Sequence, residues 1–489
     1  MILYVLHHPY HFEMENLCRV FYPGESLRVE KNTPRRLRGR STLKGGAIAA
    51  VTGVARGRIE AKLFAGRRRL SITRPPGENP ELTMARMLFA LLRRATGDTP
   101  PWGLLTGVRP SKLMLRLRRD GGAPRAEQYF RDALWVSPGK TALAAAVAEA
   151  EEPILARTSP RSFSLYASIP FCPSRCSYCS FVSHTIERPS AQKLIPAYAE
   201  KLCEEIARTG QIAGALGLRL ESAYIGGGTP GILSAQQVGK ICGALEGSFG
   251  RPGEFTVEAG RPDTLTPEKL RVLRAHGVTR LCVNPQSLDD AVLARAGRRH
   301  TAAEFYEAYA LAKEAGFALN SDLIAGLPGD TPAGFEGSLR GVIALRPENI
   351  TVHTLALKRS AALEKIHGAA ACAEMLRAAS ALLPAAGYAP YYMYRQSRSL
   401  GNLENVGWSL PGRECRYNVD MMEESHTILA CGAGGVTKLK APGSDYLERV
   451  FSLKYPYEYL ARFGELLGRK ARIKAFYETY NNWALDDRL

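Results

Sequence analysis

From about Phe163 to His353 the chain alternates short apolar, β-rich runs with longer stretches whose apolar residues recur at helical spacing. The strands predicted are Phe163–Ile169, Ser222–Ile225, Phe255–Ala259, Arg280–Asn284, Leu319–Ile324 and Ile350–Leu355. Helices are predicted between them, among them Lys193–Arg208, Gln236–Phe249 and Pro267–His276, where Thr266 reads as an N-cap and Pro267 as a first-turn proline. Such alternation predicts an α/β fold, a parallel sheet wrapped by helices, and six β/α units make a partial (β/α)6 barrel. Chemistry in that architecture belongs at the C-terminal ends of the strands, where the βα loops converge.

An α+β accessory domain is expected over 1–155, with strands near Ile2–Leu6, Ser26–Glu30 and Arg58–Phe64. A helix follows around Glu81–Arg94, where Leu82, Ala85, Leu88, Phe89 and Leu92 line up as a core face. Further helices are predicted at Arg125–Leu134 and Thr141–Ala150, with Pro153 to Pro160 as a linker. The barrel is then expected over 160–368, and a mixed C-terminal, substrate-side region over 369–489.

With 45% apolar and 23% charged residues in 489, composition is that of a globular chain. The opening MILYVLHHPY does not resemble a signal peptide, and no apolar run approaches the roughly 20 residues of a membrane span, so a cytoplasmic protein without a membrane span is expected. The net charge of +18 permits nucleic acid, acidic lipid or a polyanionic small molecule, and charge alone does not choose among them. Arg28, Lys31, Arg35, Arg36, Arg38, Arg40, Arg67, Arg68 and Arg69 make the N-terminal region basic, which a solvated face also explains. His7, His8 and His11 fit a metal site or a histidine-rich strand edge.

Ten cysteines in a reducing compartment point to metal or redox chemistry rather than to disulfides. Cys18, Cys203, Cys242, Cys282, Cys372, Cys415 and Cys431 are scattered and read as small buried hydrophobes. Cys172, Cys176 and Cys179 form a C-x3-C-x2-C triplet just after the first predicted strand. A structural zinc site normally takes four ligands, and only His184 lies near. A cubane fits better, because three thiolates hold three irons and leave the fourth open.

Tyr166-Ala167-Ser168-Ile169-Pro170-Phe171-Cys172 followed by that triplet resembles radical S-adenosylmethionine (SAM) enzymes of the oxygen-independent coproporphyrinogen III oxidase family. The resemblance implies a radical SAM barrel, a [4Fe–4S] cluster on Cys172, Cys176 and Cys179, and SAM as second cofactor. Further marks follow along the barrel. The glycine run Gly226, Gly227 and Gly228 with Thr229, otherwise readable as a tight turn, resembles the family's contact to the SAM amino group. Glu258 and Gln286, ending the third and fourth strands, are implied to face SAM. Arg298 matches an arginine that holds the SAM carboxylate, Asp322 a ribose-binding acid, and Tyr166 an aromatic beside the sulfonium. The mechanism implied is one-electron reduction of SAM to methionine and a 5′-deoxyadenosyl radical that abstracts hydrogen from an unactivated carbon.

Phe181 stands where the family's oxidase has a further cysteine, and Ser168 where it has a histidine; the missing cysteine also marks the haem-chaperone branch, from which the long N-terminal extension sets this chain apart. Along the whole chain the HemZ-type branch matches best, through Trp102-Gly103-Leu104-Leu105-Thr106-Gly107-Val108-Arg109-Pro110, Tyr394-Arg395-Gln396, Gly401–Gly407, Glu414-Cys415-Arg416-Tyr417-Asn418 and the turn Gly432-Ala433-Gly434-Gly435. That branch implies oxidative decarboxylation of two coproporphyrinogen III propionates to vinyls, giving protoporphyrinogen IX in haem biosynthesis. The partners implied are a tetrapyrrole, an electron donor and an electron acceptor. Two alternatives stand beside it: a haem-binding or haem-transfer protein using His353, His426 or Cys415, and radical chemistry on another tetrapyrrole or on RNA.

Overall fold

The computed structural model describes residues 1–32, 47–179, 181, 183–356, 368–396 and 398–480. Arg35, Arg36, Arg38 and Arg40 of the basic cluster lie outside the described residues. The chain forms two compact units, one of residues 1–145 with 395–403 and one of residues 146–394 with 404–489.

In the first unit β1 (Ile2–Leu6) pairs in parallel with β2 (Arg28–Glu30) and β3 (Ile48–Ala55). The sheet continues antiparallel through β4 (Arg58–Ala65) and β5 (Arg68–Arg74), in the order β2-β1-β3-β4-β5. Two of these strands, β3 and β5, were not among those expected. β5 reads RRLSITR, and its arginines look like a basic patch; on an edge strand such charge also discourages pairing with other chains. The helix Pro80–Thr96 starts at Asn79, whose side chain accepts from Leu82 N at 2.9 Å, and stops at Gly97 in the left-handed conformation. It buries Ala85, Leu88, Phe89 and Leu92 as expected, together with Met84, Met87 and Leu91, each contributing about 1.5–3 kcal/mol for the larger side chains. Arg395 explains why two distant stretches of sequence go together in this unit. Its guanidinium donates to the carbonyls of Leu105, Gly107 and Asn402 and lies 5.5 Å from the centre of the Trp102 ring.

The second unit is built on an open sheet of eleven strands. Its centre is the six-stranded parallel run expected: β6 (Ser162–Ile169), β9 (Arg219–Gly227), β10 (Glu254–Gly260), β11 (Arg280–Val283), β12 (Ala318–Ala325) and β13 (Asn349–Thr354). Beyond β13 come β15 (Glu404–Ser409), antiparallel to it, and β14 (Ala389–Arg395). Beyond β6 comes β16 (Thr427–Cys431), a seventh parallel strand, then β17 (Val436–Lys440) and β18 (Leu447–Phe451), both antiparallel. Strands of the expected C-terminal region thus complete the same sheet rather than forming one of their own. A two-residue ladder, β7 (Phe171–Cys172) with β8 (His184–Thr185), stands apart from it.

Helices cover the strands where expected, with Ile195–Ala215 running one turn and more past its predicted end. The Pro153–Pro160 linker begins later than expected, because the helix Pro138–Leu155 continues through Pro153. A proline in the last turn costs one backbone hydrogen bond and does not need to break the helix two residues before its end. Thr266 caps Pro267–Ala275, its side chain accepting from Lys269 N at 3.3 Å. No helix among the described residues is long and apolar enough to cross a membrane.

Glu205 and Lys470 form an ion pair at 2.8 Å inside the second unit, both buried. Glu205 also accepts from Gly432 N and the Tyr459 hydroxyl, each at 2.7 Å, and Lys470 donates to Ala430 O at 2.6 Å. The pair therefore holds the glycine-rich turn after β16. Removing one partner leaves the other charged and out of water. Lys470→Ala is expected to destabilise the fold by about 3–5 kcal/mol in denaturant titration; a loss below about 1 kcal/mol would show that water reaches Glu205.

Candidate active site

The site is built from the C-terminal halves of β6, β9, β10 and β12 and from the segments that follow β6, β9 and β11. Ser168 and Ile169 of β6 pair with Gly226 and Gly227 of β9. The two chains stay joined past the sheet, Gly228 N donating to Ile169 O at 2.8 Å and Thr229 N to Phe171 O at 2.7 Å. Position 228 must be glycine for this junction, because a Cβ there would lie 2.4 Å from Phe171 O and 2.9 Å from Cys172 Sγ. Position 226 is tight as well, its Cβ falling 2.7 Å from the Tyr224 ring and 2.8 Å from Glu258 Oε2.

The cysteine loop leaves this junction. Cys172 lies in β7, and His184 N to Pro170 O (2.8 Å) with Ile186 N to Cys172 O (3.0 Å) closes the loop at its base. Thr229 Oγ1 donates to Cys172 Sγ at 3.5 Å. Burial raises the Cys172 thiol, the nearby Cys176 raises it further, and the hydroxyls of Ser183 and Thr229 oppose this. Cys179 is pushed up to about 11, first by burial and then by the charges of Cys176 and Cys172, against the backbone donor of Phe181 and Arg175. Cys172 and Cys179 thus both lie within the field of Cys176, and a cation beside them would relieve this. Among the described residues no three His, Cys, Asp or Glu side chains gather to hold a single ion. A cubane gives each thiolate its own iron and needs no such convergence. Phe181 is exposed.

Arg298 reaches the cysteine loop from the segment after helix Asp290–Arg295. It is buried, donating to the Tyr178 hydroxyl (3.0 Å), Asn284 O (2.8 Å) and His300 Nδ1 (3.4 Å), so it ties the loop to the end of β11. Ser177 N to Ala296 O at 3.0 Å adds a second tie.

Two carboxylates face each other's field at the strand ends and titrate in opposite directions. Glu258 is lifted to about 8 by burial and by Asp322, against hydrogen bonds from Gly227 N and the Tyr224 hydroxyl. Burial pushes Asp322 up as well, yet His353, Asn320 and Thr351 hold it below its ordinary value. Asn320 Nδ2 lies 2.8 Å from Asp322 Oδ1 and His353 Nε2 3.6 Å from Oδ2. Gln286 bridges to the same strand, its N donating to Asp322 O at 2.9 Å and its O accepting from Ile324 N at 3.0 Å. Its φ is +68°, unusual for a side chain of this size, and its buried Oε1 has no hydrogen-bond partner. An orphaned acceptor, a lifted carboxyl and a partly paired acid at adjoining strand ends are what a polar ligand would satisfy.

Tyr166 lies under this group. Its ring stacks on Tyr224 (6.3 Å between centres) and Tyr417 (6.5 Å), and burial raises its hydroxyl above the usual range, with Glu258 adding to it. Tyr166, Gly226, Gly227, Gly228, Thr229, Glu258, Gln286 and Asp322 therefore converge, with Arg298 and the three cysteines on the adjoining loop. Of the three haem-ligand candidates, one joins them. His353 is at the site beside Asp322. Cys415 meets Glu254 at 3.4 Å at the opposite end of β10, and His426 is buried against Ser164 at 2.8 Å, with burial lowering it to about 3. His8 is engaged with Thr52 and His11 with Pro9 O. Sequence reasoning missed Tyr224 and Tyr417 as parts of the site. Tyr224 shares the inward face of β9 with Gly226 two residues on, a signal alternation could have carried; Tyr417 stands in the Glu414–Asn418 stretch that resembles the HemZ-type branch, but with no role attached to it.

Strand order, glycine junction and cysteine loop define a radical SAM α/β protein, and the sequence model of the Radical SAM superfamily matches residues 166–341. The HemZ protein of Bacillus subtilis, described as oxygen-independent coproporphyrinogen-III oxidase-like, is 35% identical over 404 residues, 80% of each chain. The chain therefore belongs to the HemN/HemZ/HemW family of radical SAM proteins, whose cofactors are a [4Fe–4S] cluster and SAM. The haem chaperone HemW of Escherichia coli is 28% identical over 56% of this chain and 69% of its own. The solved structure of Escherichia coli HemN, a coproporphyrinogen III oxidase, shares the fold at TM-score 0.50 and 22% identity, over 65% of this chain and 73% of that one.

The lifted carboxyl gives a pH signature. Between 4.5, the ordinary value, and about 8, the folded chain keeps a proton on Glu258 that the unfolded chain releases, so stability falls as pH rises through that window. Glu258→Gln removes this term. Without cofactors, the melting temperature of the parent chain is expected to drop more between pH 5 and pH 9 than that of the variant. Equal drops would place the Glu258 carboxyl in water.

Proposed function

We propose that the chain is a radical SAM oxidoreductase that decarboxylates two propionates of coproporphyrinogen III to vinyls, giving protoporphyrinogen IX. The observation carrying this reading is the meeting, at one set of strand ends, of the cysteine loop with the unequal pair Glu258 and Asp322, in a chain similar to HemZ over 80% of both lengths. Cys172, Cys176 and Cys179 would hold the cluster. Tyr166, Gly226, Gly227, Gly228, Thr229, Glu258, Gln286, Arg298 and Asp322 would hold SAM.

When bound, the two cofactors supply one-electron cleavage of SAM to methionine and an adenosyl radical able to take hydrogen from carbon. This chain's residues bind and orient. Gln286 Oε1, left unpaired by the protein, accepts from a ligand donor. Asp322, kept ionised by His353 and Asn320, is suited to a pair of hydroxyls. The Gly226–Gly228 backbone lets a ligand approach without side-chain obstruction. Net positive charge favours a tetracarboxylate substrate.

A second reading, haem binding or transfer, is favoured by Phe181 in place of the oxidase's cysteine and by the similarity to HemW. Radical chemistry on another tetrapyrrole or RNA rests only on the basic N-terminal unit.

Anaerobic reconstitution with SAM, a low-potential reductant and coproporphyrinogen III tests the proposal. Carbon dioxide and vinyl products are expected in step with 5′-deoxyadenosine; SAM cleavage with the porphyrinogen unchanged would turn the choice to haem transfer. Cys176→Ala is expected to lose iron, sulfide and all SAM cleavage, and retention of the three would remove the ligand assignment. Arg298→Ala is expected to keep the cluster and bind SAM at least tenfold more weakly, as for a lost charge-assisted bond; unchanged affinity would take Arg298 out of the SAM site.

A further inference from the structure

Tyr417 lies outside the matched residues 166–341, in the C-terminal part of the second unit. It is the second residue of the helix Arg416–Glu423, which is fastened to the starts of the central strands. Glu254, the first residue of β10, accepts from Arg416 N at 2.9 Å and Tyr417 N at 3.0 Å, so a carboxylate caps the helix where its free amides and dipole favour one. Arg416 pairs with Glu221 at 2.7 Å and with Asp420 at 3.1 Å.

From this anchored base the Tyr417 ring stacks on Tyr224 at 4.6 Å and 22° and reaches Tyr166 at 6.5 Å and 19°. The residue is 4% exposed, and its hydroxyl has no hydrogen-bond partner. Burying an unpaired hydroxyl costs about 1–3 kcal/mol, so a phenylalanine would serve better if only packing mattered. The hydroxyl lies in the field of Tyr166 and Glu258, two of the residues assigned to SAM.

We propose that Tyr417 is a positioning residue of the SAM pocket, its ring holding Tyr166 and Tyr224 in place and its hydroxyl donating into the polar cluster around Glu258 when SAM is bound. The C-terminal helix then forms the floor of a pocket whose walls come from the matched segment. This rests on the reading of Tyr166 and Glu258 as SAM contacts.

The test separates ring from hydroxyl in the cluster-loaded protein. SAM affinity is measured by equilibrium binding without reductant, thermal stability by melting, and the cluster environment by the change in the reduced cluster's electron paramagnetic resonance signal on adding SAM. Tyr417→Phe keeps the ring; it is expected to raise the melting temperature of the SAM-free protein, where the unpaired hydroxyl is a cost, while weakening SAM binding about fivefold and altering the SAM-induced spectral change. Tyr417→Leu is expected to lose both stability and affinity. Tyr417→Phe with unchanged SAM affinity and spectrum would overturn the proposal, leaving a packing tyrosine. Glu258→Gln serves as the reference: if it too leaves SAM affinity unchanged, the pocket assignment has failed, whereas loss in that variant alone rejects Tyr417.

Discussion

The hydrogen bonds that join the end of β6 to the end of β9 set the position of everything else in the site. Two strands in parallel register would ordinarily part at their ends, but here Gly228 and Thr229 continue donating to Ile169 and Phe171 after the sheet has stopped. That continuation points Cys172 back over the strand ends and brings Thr229 against its sulfur. It is possible only with a bare backbone at 228, so a glycine without chemistry of its own fixes where the chemistry occurs.

Around this junction the two ends of the central strands have different tasks. At the strand starts, charges are matched: Glu254 with helix amides and Arg280, Arg416 with Glu221 and Asp420. Toward the strand ends no arginine or lysine pairs with Glu258 or Asp322 among the described residues. Glu258 has too little support to ionise readily, Asp322 has enough, and Gln286 keeps an acceptor unsatisfied in a strained backbone conformation. Neighbouring acids driven apart in this way mark a place where ligands rather than packing determine the residues.

Much of this was legible in the sequence. All six central strands were foreseen to within a few residues, because buried parallel strands leave continuous apolar runs between amphipathic helices. The candidate residues along those strands came from the resemblance to radical SAM enzymes, which periodicity alone does not carry. What escaped has identifiable causes. β3 (IAAVTGVA) is small and weakly patterned, β5 carries arginine where strands usually carry apolar residues, and Pro153 signals a stop that a last helical turn can ignore. The pairing of β16 with β6 and the reach of Tyr417 to Tyr166 depend on contacts between distant segments, which local periodicity does not encode.

The pairing of β6 with β16 also bears on how the chain is made. Phe163 needs Thr427 beside it, so the strand leading into the cysteine loop emerges from the ribosome long before one of its two neighbours exists. At about 5–20 residues per second the interval is on the order of tens of seconds. Throughout it β6 presents an open row of amides and carbonyls, the kind of edge that recruits other chains. Delivery of iron and sulfide during synthesis would meet a cysteine loop mounted on an unfinished sheet, and premature termination anywhere before β16 would leave a sticky fragment rather than a smaller working protein.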